Sequence, residues 1–368
     1  MSRTTQPGET AVRPFRLLPS VIDRRLRVVA WISFIAEVII IGTGGAVRLT
    51  GSGLGCSEWP LCTPESLVPI PAVQGIHGII EFGNRLMTGV VGIVALLVLL
   101  FVLNIVGGRR AGLSALKFAA AAIGLGVGFY AAFSLAGLPG FPFFSAGLLL
   151  MTIVAAVFSV RSAPERRDLV VLAWIVLIGV VAQAFVGGIT VLTKLNPFIV
   201  GFHYAASLLL VCVTTAFLVR LSATPGQRAL AVPRWFAVLS HVTGLALAAT
   251  IFFGVLTTGS GPHSGDAAIE RDGFDATILA HVHSWPGYIL AVLLVVIAVA
   301  AWVRRLSVRR WSLVLVASVV VQIVVGVIQA RTGLPAVLVG AHMVLAALSA
   351  AAYTEFVLKL KRPVADAA

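Results

Sequence analysis

The chain of 368 residues is 59% hydrophobic before its 36 glycines are counted and only 11% charged, with a mean hydropathy of +1.03. Soluble domains hold roughly 45–50% apolar residues with glycine included, so a soluble globule is excluded, and the long unbroken apolar runs exclude the short alternating strands of a barrel. A formal charge of +13 admits a nucleic-acid partner only if the basic residues gather on one face rather than between spans.

Runs long enough to cross a bilayer, at about 20 apolar residues each, lie at 28–48, 78–106, 113–137, 140–160, 169–191, 199–221, 236–257, 278–303, 311–330 and 336–358. The reading is an all-α integral membrane protein of about ten spans. The first run is longer than the apolar core of a cleaved signal, and its removal would leave the charge pattern without its first crossing, so it counts as a span. The pair at 113–137 and 140–160 is split only by Gly137-Leu138-Pro139-Gly140 and reads either as two crossings or as one re-entrant unit.

With a cytoplasmic amino terminus, 22 of the 27 basic residues fall on the inside. The outside keeps Arg48, Arg85, Lys194, Arg271 and Arg331, beside an acidic cluster of Asp266, Glu270, Asp272 and Asp275. The positive-inside rule is satisfied, so the excess charge is topological, nucleic acid is not a partner, and the cell membrane is the expected location, with both termini cytoplasmic. Cys56 and Cys62 then sit in an outer loop where a disulfide can persist. Five intervening residues allow a bridge, and two unpaired thiols are the alternative. Cys212 reads as a small apolar filler.

An internal repeat organises the chain. Gln183 to His203 set over Gln322 to His342 gives nine identities in 21 positions without a gap, among them both glutamines, Gly187 with Gly326, Thr193 with Thr332, Gly201 with Gly340, and both histidines. Thr50-Gly51-Ser52-Gly53 echoes Thr258-Gly259-Ser260-Gly261. These matches predict two pseudo-symmetric four-helix bundles in tandem, at 28–221 and 236–358, flanked by cytoplasmic segments 1–27 and 359–368. A hairpin inserted at about 107–168 has no counterpart. Duplicated bundles commonly hold a ligand between facing helices of each half.

Seven histidines are present: His77, His203, His241, His263, His281, His283 and His342. His203, His283 and His342 each fall a few residues inside the outer end of a separate span, so a rise of about 1.5 Å per residue places them at similar depth. Ionisable groups at such depth mark functional sites. Two histidines facing each other from neighbouring helices suit the axial positions of a heme iron; hydrogen bonding between helices is the plainer alternative. Symmetry pairs His283 with His342 and asks the second span for a partner to His203, where the expected slot holds Asn84. Glu81, one turn away, either moves protons beside a cofactor pocket or pairs with Arg85 four residues on. Arg48, Arg85 and Arg331 suit heme propionates, or headgroups and the acidic loop. His263 and His281 read as loop and interface residues and His241 as a polar group of helix packing. Glu37, in the middle of the first span, is costly unless it faces the bundle.

The outer segment Gly44-Gly-Ala-Val-Arg48-Leu-Thr-Gly-Ser-Gly-Leu-Gly-Cys56 with Trp59-Pro60-Leu61-Cys62, then Glu81-Phe-Gly-Asn84-Arg85, then Gly187-Gly-Ile-Thr-Val-Leu-Thr, resembles the heme A synthase family, especially its actinobacterial members, over nearly the whole chain. The resemblance implies two four-helix halves and an oxidoreductase that converts the C8 methyl of heme O to the formyl of heme A for terminal oxidases. It implies heme b as cofactor on His283 and His342, with Arg331 beside it. The substrate heme would lie on His203, with Asn84 and Arg85 lining its pocket and Glu81 catalytic. It further implies a Cys56–Cys62 disulfide, heme O as substrate, and heme O synthase and oxidase assembly factors as partners. Two features depart from the family: it often has a histidine where this chain has Asn84, and commonly eight helices without the extra hairpin. Two rival readings share part of this pattern. A diheme electron-transfer protein linked to quinol shares every histidine, and a transporter built on a duplicated bundle would show broken helices and polar groups at the midplane.

Overall fold

The computed structural model describes residues 18–138, 140–161, 166–263, 265–266 and 274–364. Most of the expected amino-terminal segment, the end of the tail, and Glu270, Arg271 and Asp272 of the outer loop lie outside these residues. Among the described residues ten helical segments are long and apolar enough to cross a membrane, and this is a multi-pass membrane protein. The helices are α1 (Arg24–Leu49), α2 (Pro71–Leu135), α3 (Gly140–Arg161), α4 (Arg167–Leu192), α5 (Pro197–Leu221), α6 (Arg234–Ser260), α7 (Ala276–Val303), α8 (Arg309–Arg331) and α9 (Ala336–Lys359). Two short strands, β1 (Arg228–Leu230) and β2 (Lys361–Pro363), pair antiparallel.

The helix starts are written in the sequence. Asp23 caps α1 by accepting from the Leu26 N–H, and Asn196 caps α5 from its position before Pro197. Asp275 caps α7 by accepting from the N–H groups of Thr277 and Ile278, and the Ile278 and Thr277 N–H groups hold its exposed carboxylate below the usual range. Proline in the first turn suits a helix start because its missing N–H would have no partner there. That is why α2 begins at Pro71, ahead of the apolar run that starts at 78.

Helix α2 contains two spans, Pro71–Gly108 and Arg110–Leu135, joined at Gly108 in a left-handed conformation (φ 70°) that glycine adopts without steric cost. The residues from 110 onward and α3 form separate helices of 26 and 22 residues, each long and apolar enough to cross a membrane. The hairpin is closed near its tip by Phe133 and Phe143, whose rings stack with centres 3.5 Å apart.

The interior forms two main apolar clusters and a seam. The first draws Leu26, Leu99, Val102, Leu169, Trp174 and Phe217 from α1, α2, α4 and α5, with Ala155 and Ala156 of α3 added. The second draws Phe236, Ile297, Leu315 and Phe356 from α6 to α9. Ile41, Leu208, Val211, Ala347 and Ala351 join α1, α5 and α9 along the seam. Exposed apolar side chains such as Ile93, Leu209 and Val292 face the hydrocarbon that solvates them.

The repeat read from the sequence is visible in the turns. After α4 and after α8 the chain makes the same turn, with Lys194 and Leu195 at φ 53° and 57° and Gly333 and Leu334 at φ 79° and 59°. The closing bonds correspond: Leu195 N–H to Thr190 O at 2.7 Å, and Leu334 N–H to Gln329 O at 2.9 Å.

The loop between α1 and α2 is held down by Trp59, whose ring meets Phe141 of α3 and Phe185 of α4 edge-on at 4.7 and 5.8 Å. The indole lies over Gly188, where any Cβ would overlap it. Gly188→Ala is expected to lower stability by about 1–3 kcal/mol, the usual cost of overpacking, and Trp59→Leu in the same chain should return part of that. Thermal unfolding in detergent, followed by fluorescence, measures both.

Candidate functional site

The polar side chains of interest gather at one end of the bundle, the end that carries the α1–α2 loop. His203 and His342 are each the seventh residue of their helices, α5 and α9, and His283 is the eighth of α7. Each imidazole rests against a glycine of the preceding helix. A Cβ at Gly187 would stand 3.4 Å from His203 Cε1, one at Gly254 2.9 Å from His283 Cε1, and one at Gly326 2.8 Å from His342 Cε1. Asn84 occupies a fourth seat of the same kind, with Gly44 on α1 facing its amide. A Cβ at Gly254 or Gly326 would push the ring away, whereas at Gly187 and Gly44 it would reach only ordinary contact.

His283 and His342 face each other with ring centres 6.4 Å apart and planes at 88°. Two imidazoles on opposite sides of one metal ion, at about 2 Å per nitrogen, place their ring centres roughly 6 Å apart, so this pair has the span that a shared iron requires. His283 Nδ1 lies 2.9 Å from the Thr250 carbonyl oxygen of α6, whereas His342 Nδ1 is buried without a partner. Among the described residues no group of three or more His, Cys, Asp or Glu is arranged so that it could hold a metal ion; the arrangement is a pair.

His203 is set differently. Its Nδ1 lies 3.2 Å from Gln183 Oε1, and Gln183 Nε2 donates to the His203 carbonyl oxygen at 2.7 Å and to Ser207 Oγ at 2.6 Å. Asn84 Oδ1 accepts from Thr43 Oγ1 at 2.8 Å. His77 is exposed and its Nδ1 lies 2.9 Å from Ser52 Oγ, which ties it to the outer loop.

Glu81 is buried under that loop. Its Oε2 accepts from the Cys56 N–H at 2.6 Å and its Oε1 from Arg85 Nη2 at 2.6 Å. Arg85 also donates to the carbonyl oxygens of Leu61, Cys56 and Glu58. The guanidinium, read from the sequence as part of a substrate pocket, is thus committed to the loop and to Glu81. Cys56 and Cys62 form a disulfide and both are fully buried. One bridge, one arginine and one carboxylate therefore fix the lid over this end of α2.

The other arginines divide. Arg48 Nε and Nη2 donate to the carbonyl oxygens of His263 and Thr258, each at 2.6 Å, and His263 Nε2 lies 2.9 Å from Leu334 O, so α1, α6 and the α8–α9 turn are strapped together. Arg331 is exposed in the last turn of α8. His241 and His281 are exposed, and His281 Nδ1 lies 2.8 Å from its own helix at Thr277 O. Glu37 is 3% exposed and faces the bundle, with both oxygens within hydrogen-bond reach of Thr214 Oγ1 on α5. Sequence reading noted Gln183 only as a repeat identity and missed Thr250. The first was detectable as a polar residue kept at one register of both repeats, whereas the second acts through a backbone carbonyl, which no side-chain pattern reveals.

The sequence pattern of the COX15-CtaA family, described as cytochrome oxidase assembly protein, matches residues 27–133 and 143–354. The chain belongs to this family. The family match breaks only at the tip of the hairpin, across the turn from α2 to α3. Among curated relatives, the heme A synthase of Alkalihalophilus pseudofirmus is 38% identical over 72 residues, 19% of this chain and 23% of the relative. That of Exiguobacterium sibiricum is 34% identical over 83 residues, 22% and 27%, and that of Bacillus cereus strain AH187 is 39% identical over 75 residues, 19% and 23%. These matches span about a quarter of the relatives' length.

Within this COX15-CtaA chain the Arg85–Glu81 pair is a stability element as well as a site feature, with side-chain exposures of 18% and 6%. Arg85→Ala leaves a buried carboxylate and three loop carbonyls without their donor. A loss of about 3 kcal/mol is expected, typical of breaking a buried pair by removing one partner, while Arg48→Ala should leave the Glu81 lid in place. Limited proteolysis of the 50–70 loop distinguishes the two variants.

Proposed function

We propose that this chain is a heme A synthase, which oxidises the C8 methyl of heme O to the formyl of heme A for terminal oxidase assembly. The observation that carries the reading is the inequality of the two outer-end sites in a cytochrome oxidase assembly protein. His283 and His342 form a facing pair with the span of a shared iron, whereas the repeat mate His203 comes with Asn84 rather than a second histidine. A resident group wants two strong ligands; a substrate that must leave wants fewer.

In this reading residues 236–358 hold heme b through His283 and His342, with Arg331 at the outer end of α8 placed for a propionate. Bound there, heme b would supply one-electron transfer. Residues 28–221 hold heme O, with the inserted hairpin at about 107–168 at their flank. His203 offers Nε2 to the substrate iron because Nδ1 is engaged by Gln183. Asn84, fixed by Thr43, lines the same pocket. Glu81 takes the proton leaving the reacting carbon at a carboxylate oxygen, and Arg85 holds that carboxylate in place and acts on the substrate through it. The disulfide-closed loop excludes water above the pocket. Both termini lie in the cytoplasm by the positive-inside rule. Membrane lipid surrounds the bundle, and heme O synthase and oxidase assembly factors are the partners that deliver substrate and take product.

The test is the purified protein coexpressed with a source of heme O, its hemes extracted with acid and identified by mass. Heme b with heme O, a hydroxylated intermediate or heme A is the expected result. Heme b alone would turn the reading to quinol-linked electron transfer, and no heme at all would return it to transport. Glu81→Ala is expected to keep its hemes and lose heme A formation; normal heme A in that variant makes Glu81 structural. Gly254→Ala and Gly326→Ala, which crowd the pair, should abolish heme b retention. Gly187→Ala, whose methyl reaches only ordinary contact with the His203 ring at 3.4 Å, should leave heme b intact, as read from the absorption spectrum.

A further inference from the structure

We propose that Gln183 and Gln322 are positioning residues, each orienting the ring of the histidine that follows it by twenty residues so that Nε2 is presented to iron. The inference rests on the proposed function and assigns these two amides a part in it. In the first pocket both ends of the amide are used: Gln183 Nε2 donates to the His203 carbonyl oxygen at 2.7 Å and Oε1 lies 3.2 Å from His203 Nδ1. In the second pocket half of the same device is made. Gln322 Nε2 donates to the His342 carbonyl oxygen at 3.1 Å, while Gln322 Oε1 and His342 Nδ1 are both buried without a partner.

An acceptor and a ring nitrogen left unpaired on adjacent helices, at the positions where the repeat pairs them, are complementary. The His342 ring is turned relative to its counterpart. Gly187 faces Cε1 and Nε2 of His203, whereas Gly326 faces Cε1 with Nδ1 nearer than Nε2, at 3.4 against 3.6 Å. In this proposal a swivel about the bond that carries the ring pairs Nδ1–H with Gln322 Oε1 and leaves Nε2 for iron. His283 needs no such help, because the Thr250 carbonyl oxygen already lies 2.9 Å from its Nδ1. Once an oxygen accepts from Nδ1–H, the tautomer is fixed and the lone pair stays on Nε2. An amide does this without adding a charge inside the bilayer, where a carboxylate would be costly.

The two ends of the amide are separated by substitution. Gln322→Leu removes both bonds, whereas Gln322→Glu keeps an acceptor for Nδ1–H and loses the donor to the His342 carbonyl. Full-length protein, purified with its hemes, is titrated for the midpoint potential of heme b and assayed for heme b retention. Gln322→Leu is expected to weaken retention about tenfold, the low end of losses seen on removing such partners of metal-bound histidines, and to raise the potential. Gln322→Glu is expected to retain heme b and lower the potential, because a stronger acceptor makes the imidazole a better electron donor to iron. Gln183→Leu should leave the heme b potential unchanged and weaken substrate heme binding. Shifts in opposite directions for Leu and Glu support the proposal; equal shifts, or a loss of thermal stability alone, reduce Gln322 to a tie between α8 and α9 and overturn it. If Gln322→Leu fails to accumulate, Gln322→Glu against the wild type decides, an unchanged potential overturning the proposal. Wild-type protein without heme b overturns both the proposed function and this inference, whereas heme b present with indifferent glutamine variants overturns the inference alone.

Discussion

Everything at the outer end of this bundle follows from one constraint: a polar side chain inside a hydrocarbon layer must find its partner within the protein. Glu81 meets it with a backbone N–H and a guanidinium, Asn84 with a threonine hydroxyl, and Glu37 with Thr214. Partners on different helices do more than satisfy a polar atom. The Thr43–Asn84 bond joins α1 to α2, and the Glu37–Thr214 contact joins α1 to α5. These buried polar groups are thus also ties of the fold, and substituting one of them loosens the helix pair it joins.

Glycine makes this arrangement fit. Helix pairs normally pack through interlocking side chains at axial distances of about 8–10 Å, and a ring lying in the interface needs a helix with nothing opposite it. Gly254 and Gly326 supply that gap for His283 and His342, while Gly187 and Gly44 leave ordinary contact room beside His203 and Asn84. Gly188 shows the same logic applied to the loop, since it gives Trp59 its resting place and so joins the lid to α3 and α4.

The spans, their number and their charge asymmetry were legible because bilayer thickness sets a run length and hydropathy reports it directly. The start of α2 was missed because residues 71 to 77 contain Gln74 and His77, which break the apolar run while Pro71 starts the helix. The histidine positions were legible from the repeat, and so was the possibility of an ion pair between Glu81 and Arg85, four residues apart. The use of Arg85 was not, since its three carbonyl partners are backbone atoms of a loop, and a carbonyl has no signature in sequence. The same holds for Thr250 O beside His283 and for the carbonyls that receive Arg48.

The repeat explains why the two outer ends could diverge. Each begins with the same components, a glutamine, a glycine and a histidine at matched positions of α4–α5 and α8–α9, closed by the same left-handed turn. What differs is the neighbouring helix pair, where α6 and α7 supply His283 against Gly254 and α1 and α2 supply Asn84 against Gly44. An amide is a poor ligand for iron beside an imidazole, so under the proposed function that one residue type would separate a two-ligand seat from a one-ligand seat without moving a helix. The lid follows the same division. The loop with its disulfide and the Glu81–Arg85 pair lies at the α1–α2 end, beside Asn84, and under the proposed function it would control access there. Under the proposed function one ancestral heme seat has become two unequal ones, a tight seat that keeps its group and a covered one whose occupant is changed and released.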